Sequence, residues 1–380
     1  MTFSEINPET LLAQALDDHQ SHADGIVPAL HLSTTFIRDD DNEYRSGLVY
    51  ARPHNPTTQH VERILARLEQ GQEAFLFGSG MAAATTVFLA LKPGDHVIAP
   101  VVMYWFLRKW LAGRASQWGL DVSFVAMEDI DAVKAAIRPG ITRLIWVETP
   151  ANPLWGLTDI RRVADLAHAA GAKLAVDSTV ATPVLTQALT LGADIVMHSA
   201  TKYLNGHSDV LAGALVTKDA DDFWQAIRQI RTDLGAVLSP RDAAQLLRGM
   251  RTLHLRVRES CRSAMTIALH YSRHPAIAEV LYPGLKTHPG HKLASQQMSG
   301  GYGGMLSIRV KGGAVAAIRV AAKLQLWKRA TSLGGVESLV EHRASMEGPG
   351  TPVPDDLLRL SVGIENCHDL IADLDRALAV

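Results

Sequence analysis

The sequence predicts an α/β protein in which a large domain built on a mainly parallel sheet is followed by a smaller C-terminal α+β domain. Three observations carry this. Residues 97–100, 144–148, 174–177 and 195–197 are short, largely continuous apolar runs rich in β-branched side chains, the pattern of strands buried on both faces. Segments of helical period separate them, the clearest running from Thr158 to Ala170 and closed by Gly171. A strand, helix, strand order implies right-handed crossovers and parallel pairing. Finally, 380 residues exceed what a single core usually supports, so a second, smaller domain is expected.

Taken in order, Val61, Ile64, Leu65 and Leu68 recur at helical spacing behind the start signal Asn55-Pro56-Thr57-Thr58, and Gly71 stands where a C-terminal cap would lie. Residues 74–77 read as a strand. Gly78-Ser79-Gly80 then opens a second helix reaching about Leu91, which the turn Lys92-Pro93-Gly94-Asp95 ends. Residues 241–270 read as one long helix. Beyond it the texture changes: Tyr282-Pro283-Gly284-Leu285, the glycine-rich stretch 299–304, then short strands and helices. The division read from this is an N-terminal extension over 1–50, a large domain over 51–245 and a C-terminal domain over 246–380, without internal repeats or long linkers.

Composition narrows the class. The chain is 47% hydrophobic, 20% charged and 6% aromatic, as expected for a folded chain with a sizeable core. A net charge of −2 supplies no overall footprint for nucleic acid or anionic lipid. Cys261 and Cys367 are the two cysteines, both in segments of helical period, which suggests neither a disulfide framework nor a cysteine metal site and fits a reducing cytoplasm. The first residues lack a basic region followed by an apolar run, and no uncharged stretch is long enough to cross a bilayer. A cytoplasmic protein with no membrane segment is expected.

The most informative stretch is His198-Ser199-Ala200-Thr201-Lys202-Tyr203, directly after an expected strand. A lysine there sits at the carboxyl edge of the sheet, where open α/β sheets place their ligands. Its amine can form a Schiff base if burial or a neighbouring cation lowers its pKa, and Ser199 and Thr201 present hydroxyls to a phosphate. Alone, the run more often marks a solvated surface lysine after a strand. Asp177 ends the preceding strand, where a carboxylate can pair with a pyridinium nitrogen and turn the ring into an electron sink; alone it is as well a cap or turn residue. Gly78-Ser79-Gly80-Met81 begins a helix whose unpaired N–H groups favour a phosphate dianion. It lacks the lysine of a nucleotide-binding loop and the full spacing of a dinucleotide fingerprint, and by itself is a tight strand-to-helix turn.

These elements stand in ordered company. The runs Tyr50-Ala51-Arg52-Pro53-His54-Asn55-Pro56-Thr57, Ser79-Gly80-Met81-Ala82-Ala83, Glu148-Thr149-Pro150-Ala151-Asn152-Pro153, Val176-Asp177-Ser178-Thr179, Ser199-Ala200-Thr201-Lys202-Tyr203, Gly206-His207-Ser208-Asp209, Ser332-Leu333-Gly334-Gly335 and Arg359-Leu360-Ser361-Val362-Gly363 together resemble the Cys/Met-metabolism (trans-sulfuration) enzymes that depend on pyridoxal 5′-phosphate (PLP), the cystathionine γ-synthase, cystathionine γ-lyase and methionine γ-lyase group. The resemblance runs from about residue 25 to the C-terminus. It implies a fold-type I PLP-dependent transferase-like architecture and a homo-oligomer, a tetramer formed as a dimer of dimers. In it the N-terminal extension contacts the neighbouring subunit and active sites are shared.

Carried over residue by residue, the resemblance makes Lys202 the Schiff-base lysine and the proton shuttle, and Asp177 the partner of the ring nitrogen. The Gly80 and Met81 amides, Ser199 and Thr201 would hold the phosphate, completed by Tyr50 and Arg52 from the neighbouring subunit. Tyr104 would stack on the ring and help protonate the leaving group, Asn152 would contact the ring oxygen, and Arg359, with Ser332 nearby, would grip the substrate α-carboxylate.

The chain also departs from the pattern. Tyr104-Trp105-Phe106-Leu107 is bulky where the family is small, and Lys109 stands where the family has a basic residue for a distal carboxylate, a point charge in place of a planar fork. Thr331 replaces a glutamate that would meet the distal amino group of cystathionine. Leu333 stands where β-lyases tend to have tryptophan. The reaction expected is γ-elimination or γ-replacement on a homoserine-type amino acid carrying a heteroatom at Cγ, with a non-thiol leaving group such as the hydroxyguanidine of canavanine kept open. The alternatives are a β-lyase acting on C–S bonds and a non-catalytic PLP-fold binding protein. A metal-dependent hydrolase, suggested by His198, His207, His288 and His291, is the weakest rival, because Pro289-Gly290 breaks any helix that would align the last two.

Overall fold

The computed structural model describes residues 6–15 and 25–379. Seven strands form the larger sheet: β1 (Glu73–Phe77), β2 (His96–Pro100), β3 (Asp121–Val125), β4 (Thr142–Glu148), β5 (Lys173–Asp177), β6 (Ile195–His198) and β7 (Gly213–Thr217), in the order β1-β7-β6-β5-β4-β2-β3. Only β7 runs against its neighbours; β2 to β6 are parallel. The apolar runs of β4 and β5 are buried on both faces, Leu144 and Trp146 toward one layer of helices, Ile145 and Val147 toward the other. Continuous hydrophobicity rather than alternation follows from this double burial.

Chain order reverses between β4 and β2: β3 leads outward on one side, β5 and β6 on the other. This is a topological switch point, and the crevice at the carboxyl ends of the strands there is where such sheets bind ligands. The segment after β2 carries Tyr104, Glu148 ends β4, Asp177 ends β5, and β6 runs into Ser199.

A second sheet follows, with β8 (Ile277–Leu281), β9 (Met305–Val310), β10 (Lys328–Arg329), β11 (Leu339–His342) and β12 (Leu357–Ser361) in the order β10-β11-β12-β9-β8. Its inner face, with Leu306, Ile308, Leu358 and Leu360, packs on Ala317 and Val320 of the helix Gly313–Lys323 and on Leu370 and Leu374 of the helix Cys367–Leu378. The two sheets are tied by Trp155, whose indole N–H donates to Ser307 Oγ at 2.9 Å, while Ser307 Oγ donates to the Pro153 carbonyl at 2.8 Å.

Two local expectations are corrected. The stretch 241–270 is not one helix but two, Pro240–Met250 and Leu253–Tyr271. Gly249 packs so closely on Asn205 that a Cβ there would lie 2.2 Å from its carbonyl oxygen. The Arg256 guanidinium binds the Gly249 carbonyl at 2.7 Å, so the break is built rather than frayed. Nor does Gly71 supply the left-handed residue after the helix Pro56–Leu68; Gln70 does, at φ 58°. Gly71 is required instead by space, since a Cβ would sit 2.5 Å from Val216 Cγ1. The expected start signal is as read, with Asn55 Oδ1 accepting from the Thr57 and Thr58 amides.

Candidate active site

The crevice at the switch point spans about 800 Å³, solvent at its open mouth included, and is lined among others by Gly80, Met81, Tyr104, Glu148, Asn152, Asp177, Ser199, Thr201 and Lys202. Most of the residues singled out in the sequence converge here from five strand ends and the helix Gly80–Leu89. Ser79 caps that helix, its Oγ accepting from Ala82 N at 3.0 Å, which leaves the first-turn amides of Gly80 and Met81 directed toward the cavity edge. A Cβ on Gly80 would lie 2.7 Å from Ser199 Oγ, so glycine is what lets this helix end and the Ser199 loop close around one small space. An anion-sized cradle results.

Across the cavity Lys202 Nζ donates to Ser332 Oγ at 2.7 Å. Burial lowers the amine's pKa to about 8, the nearby Arg359 guanidinium adding to the effect, Glu341 opposing it and Arg343 helping. An amine so placed is far more often neutral, and nucleophilic, near pH 7 than an ordinary lysine. Asp177 is buried, and its Oδ1 accepts from Thr179 N at 3.0 Å. Burial pushes its carboxyl up, against the hydrogen bonds from Thr179 and the charge of His198. A cation facing it would restore ionisation, which is what a protonated ring nitrogen supplies. The donor set therefore fits PLP: an amine for the aldehyde, a carboxylate for the ring nitrogen, helix-end amides and Ser199 for the phosphate.

Arg359 is buried on β12 and holds a fixed pose. It donates to Asn152 Oδ1 at 3.3 Å and to the Ser332 carbonyl at 2.6 Å, and it pairs with Glu341 of β11 at 2.7 Å. Its Nε is buried without a partner. Ser332 adopts φ 85°, so one strained residue presents its hydroxyl to Lys202 and its carbonyl to Arg359. Glu341 is shared, since Arg343 also binds it, at 2.9 Å, and reaches Glu347 at 2.7 Å.

Other expectations are met only partly. Thr201 lines the cavity, but its hydroxyl donates to the Ala212 carbonyl at 3.1 Å and accepts from the Ala212 amide at 2.9 Å. Lys109 is exposed, its ammonium 5.1 Å from the centre of the Trp105 ring, and it does not line the cavity. Thr331 is exposed beside Ser332. Tyr50 and Arg52 lie in an exposed segment, the guanidinium 5.8 Å from the tyrosine ring centre, outside this chain's own cavity. The histidines raised as metal ligands are committed elsewhere: His198 to Glu69 at 2.5 Å, His207 to the Asn205 carbonyl, His291 to the Pro283 carbonyl. Among the described residues no three acidic, histidine or cysteine side chains gather as a metal site.

One ionisable cavity residue was given no role in the sequence reading. Glu148 is buried, and its two carboxylate oxygens accept from the Tyr104 amide at 2.7 Å and the Asn152 amide at 3.0 Å. Burial and then the facing Asp177 push its pKa up to about 8. Its place at a strand's carboxyl end was visible in the sequence; its aim was not.

Comparison with known proteins identifies the family. The Cys/Met metabolism PLP-dependent enzyme family matches residues 9–379. Cystathionine gamma-synthase of Mycobacterium leprae is 46% identical over 355 residues, covering 92% of this chain and 91% of that protein. Cystathionine gamma-lyase of Dictyostelium discoideum is 41% identical, covering 93% and 92%. The crystal structure of cystathionine gamma synthase from Xanthomonas oryzae pv. oryzae in complex with aminoacrylate and cysteine superposes with a TM-score of 0.94 at 36% identity, covering 98% of both chains. The chain belongs to the PLP-dependent Cys/Met-metabolism family, whose members are trans-sulfuration enzymes.

Proposed function

We propose that this enzyme catalyses γ-replacement or γ-elimination on a homoserine-type amino acid bearing a heteroatom at Cγ. The observation that carries the reading is the buried Lys202 Nζ, hydrogen-bonded to Ser332 and under the charge of the buried Arg359 of β12, in the cavity that Asp177 lines from β5. PLP, when bound, supplies an electron sink that makes the substrate's Cα–H acidic. Asp177 keeps the ring nitrogen protonated. Arg359 offers its unpartnered Nε and its remaining donors to the α-carboxylate, and so orients Cα toward Lys202. The Lys202 amine would take the Cα proton, deliver it to the cofactor's C4′ carbon and so become a free base again, take a proton from Cβ, and give that one back at the end. Ser332 holds that amine through its hydroxyl between transfers. Tyr104, whose phenol is held above its ordinary pKa by desolvation against the opposing charge of Arg343, stays protonated and can donate to the departing Cγ heteroatom.

Leu333 lines the cavity where β-lyases tend to have tryptophan, which favours the γ reading. Thr331 supplies no charge for the distal amino group of cystathionine, so O-acyl homoserines and non-thiol leaving groups such as that of canavanine belong in the substrate class. Tyr50 and Arg52, exposed and outside their own chain's cavity, support a shared-site dimer, paired into a tetramer. The test is a scan of γ-substituted amino acids, canavanine included, for 2-oxo acid and ammonia release with and without cysteine. Turnover of at least one, abolished in Lys202→Ala, is expected. Exclusive turnover of β-substituted substrates would replace the reading with the β-lyase.

A further inference from the structure

Glu148 and Asp177 are register partners at the carboxyl ends of two adjacent parallel strands, β4 and β5. Both are buried and both line the same cavity. Two carboxylates side by side, out of water, repel each other, and neither is met by an ion-paired lysine or arginine. The other charges facing them are few. Arg343 acts on Glu148 from beyond β11, His198 acts on Asp177 from the end of β6, and Lys202 and the Tyr104 phenol border the cavity. Arg343 is already committed to Glu341 and Glu347, and His198 to Glu69. With no cation paired to the two carboxyls among the described residues, burial and the facing Asp177 push Glu148 up to about 8, so near pH 7 the pair retains a proton.

We propose that Glu148 is the positioning residue of this cavity and that it gives up its proton when the cationic ring of the cofactor is seated against Asp177. The inference rests on the reading that Asp177 takes the ring nitrogen. Seating a pyridinium brings a positive charge to the pair, so both carboxyls can ionise; the Glu148 O–H bond breaks and its proton leaves to the buffer. The ionised carboxylate then shares one negative charge over the two oxygens that accept from the Tyr104 and Asn152 amides. Charge-assisted bonds of this kind are shorter and about twice as strong as neutral ones. Cofactor binding would thus tighten the two segments that carry the ring-stacking tyrosine and the contact to the ring oxygen. Nothing is oxidised or reduced.

The probe is 4′-deoxypyridoxine 5′-phosphate, which has the ring and phosphate but no aldehyde, so Lys202 forms no bond to it. Calorimetric titration of apo-protein at pH 7 in two buffers of different ionisation enthalpy counts the protons released. Glu148→Gln is expected to release about one proton fewer per site than wild type, by linkage, while phosphate and ring contributions cancel between the two. Infrared difference spectra of wild type alone provide a second readout that needs no variant: the carbonyl stretch of a protonated carboxyl is lost on binding. Equal proton counts in the two proteins, or no loss of that band, would overturn the proposal. Equal affinity for wild type and Asp177→Asn would instead overturn the reading of Asp177 on which it rests.

Discussion

The Lys202 amine, with a pKa near 8, is roughly a tenth neutral at pH 7, several hundredfold more than a solvated lysine. Its charged form is disfavoured first by burial and then by Arg359, and both follow from where the chain turns after β6 and from what β12 places opposite. Since deprotonation makes the amine reactive, the rate at which apo-protein captures PLP should rise with pH to a midpoint near 8. Arg359→Met removes a repelling cation, so that midpoint should move upward; stopped-flow absorbance at a series of pH values measures it, and an unmoved midpoint would remove Arg359 from the account. The same variant should raise KM for amino-acid substrates by tenfold or more, the scale of a lost charge-assisted pair. Lys202 and Asp177 were legible in the sequence because a lysine and an aspartate at successive strand ends form a rare pattern. Glu148 was not, because its meaning depends on which backbone amides fold onto it, and Tyr104 is 44 residues away.

At the scale of elements, apolar strand runs and helices with clear start signals were legible, and the polar edge strand β3, the reversed β7 and the helix break were not. β3 is an edge strand whose Asp121 and Ser123 interrupt any apolar run, and β7 runs against its neighbours, a direction no local pattern records. The interruption at Arg251 and Thr252 depends on Asn205 meeting Gly249, a contact between distant parts of the chain. Close approach also explains Gly71. Gly71→Ala drives a methyl into Val216 and the Thr217 carbonyl and should cost about 1–3 kcal/mol, the range for overpacking, whereas Asn55→Ala, which removes a helix cap, should cost about 1 kcal/mol. Urea midpoints of the two variants compare them directly; a neutral Gly71→Ala would show that the strand gives way.

For the whole molecule, the match over residues 9–379 and two sheets joined through Trp155, Ser307 and Pro153 make one architecture in which β12 of the second sheet completes a site built on the first. The sequence indicated both parts; how β12 and Ser332 would close over Lys202 required the fold. No helix among the described residues is long and apolar enough to cross a membrane. If Tyr50 and Arg52 serve the neighbouring subunit, mixing and re-annealing Lys202→Ala with Arg52→Ala protomers, each inactive alone, should restore roughly a quarter of wild-type activity per site, because about half of the pairs are hybrids and each hybrid has one of its two sites intact. No recovery in re-annealed hybrids would place Arg52 outside the shared site.

The central claim is that the cofactor is held by Lys202, and borohydride reduction of the PLP-loaded enzyme followed by peptide mass spectrometry tests it most directly. The account predicts a phosphopyridoxyl group on the peptide containing Ser199-Ala200-Thr201-Lys202 and on no other lysine, with loss of the visible absorbance band. A label on a different lysine, or an enzyme that takes up no PLP at all, would contradict it.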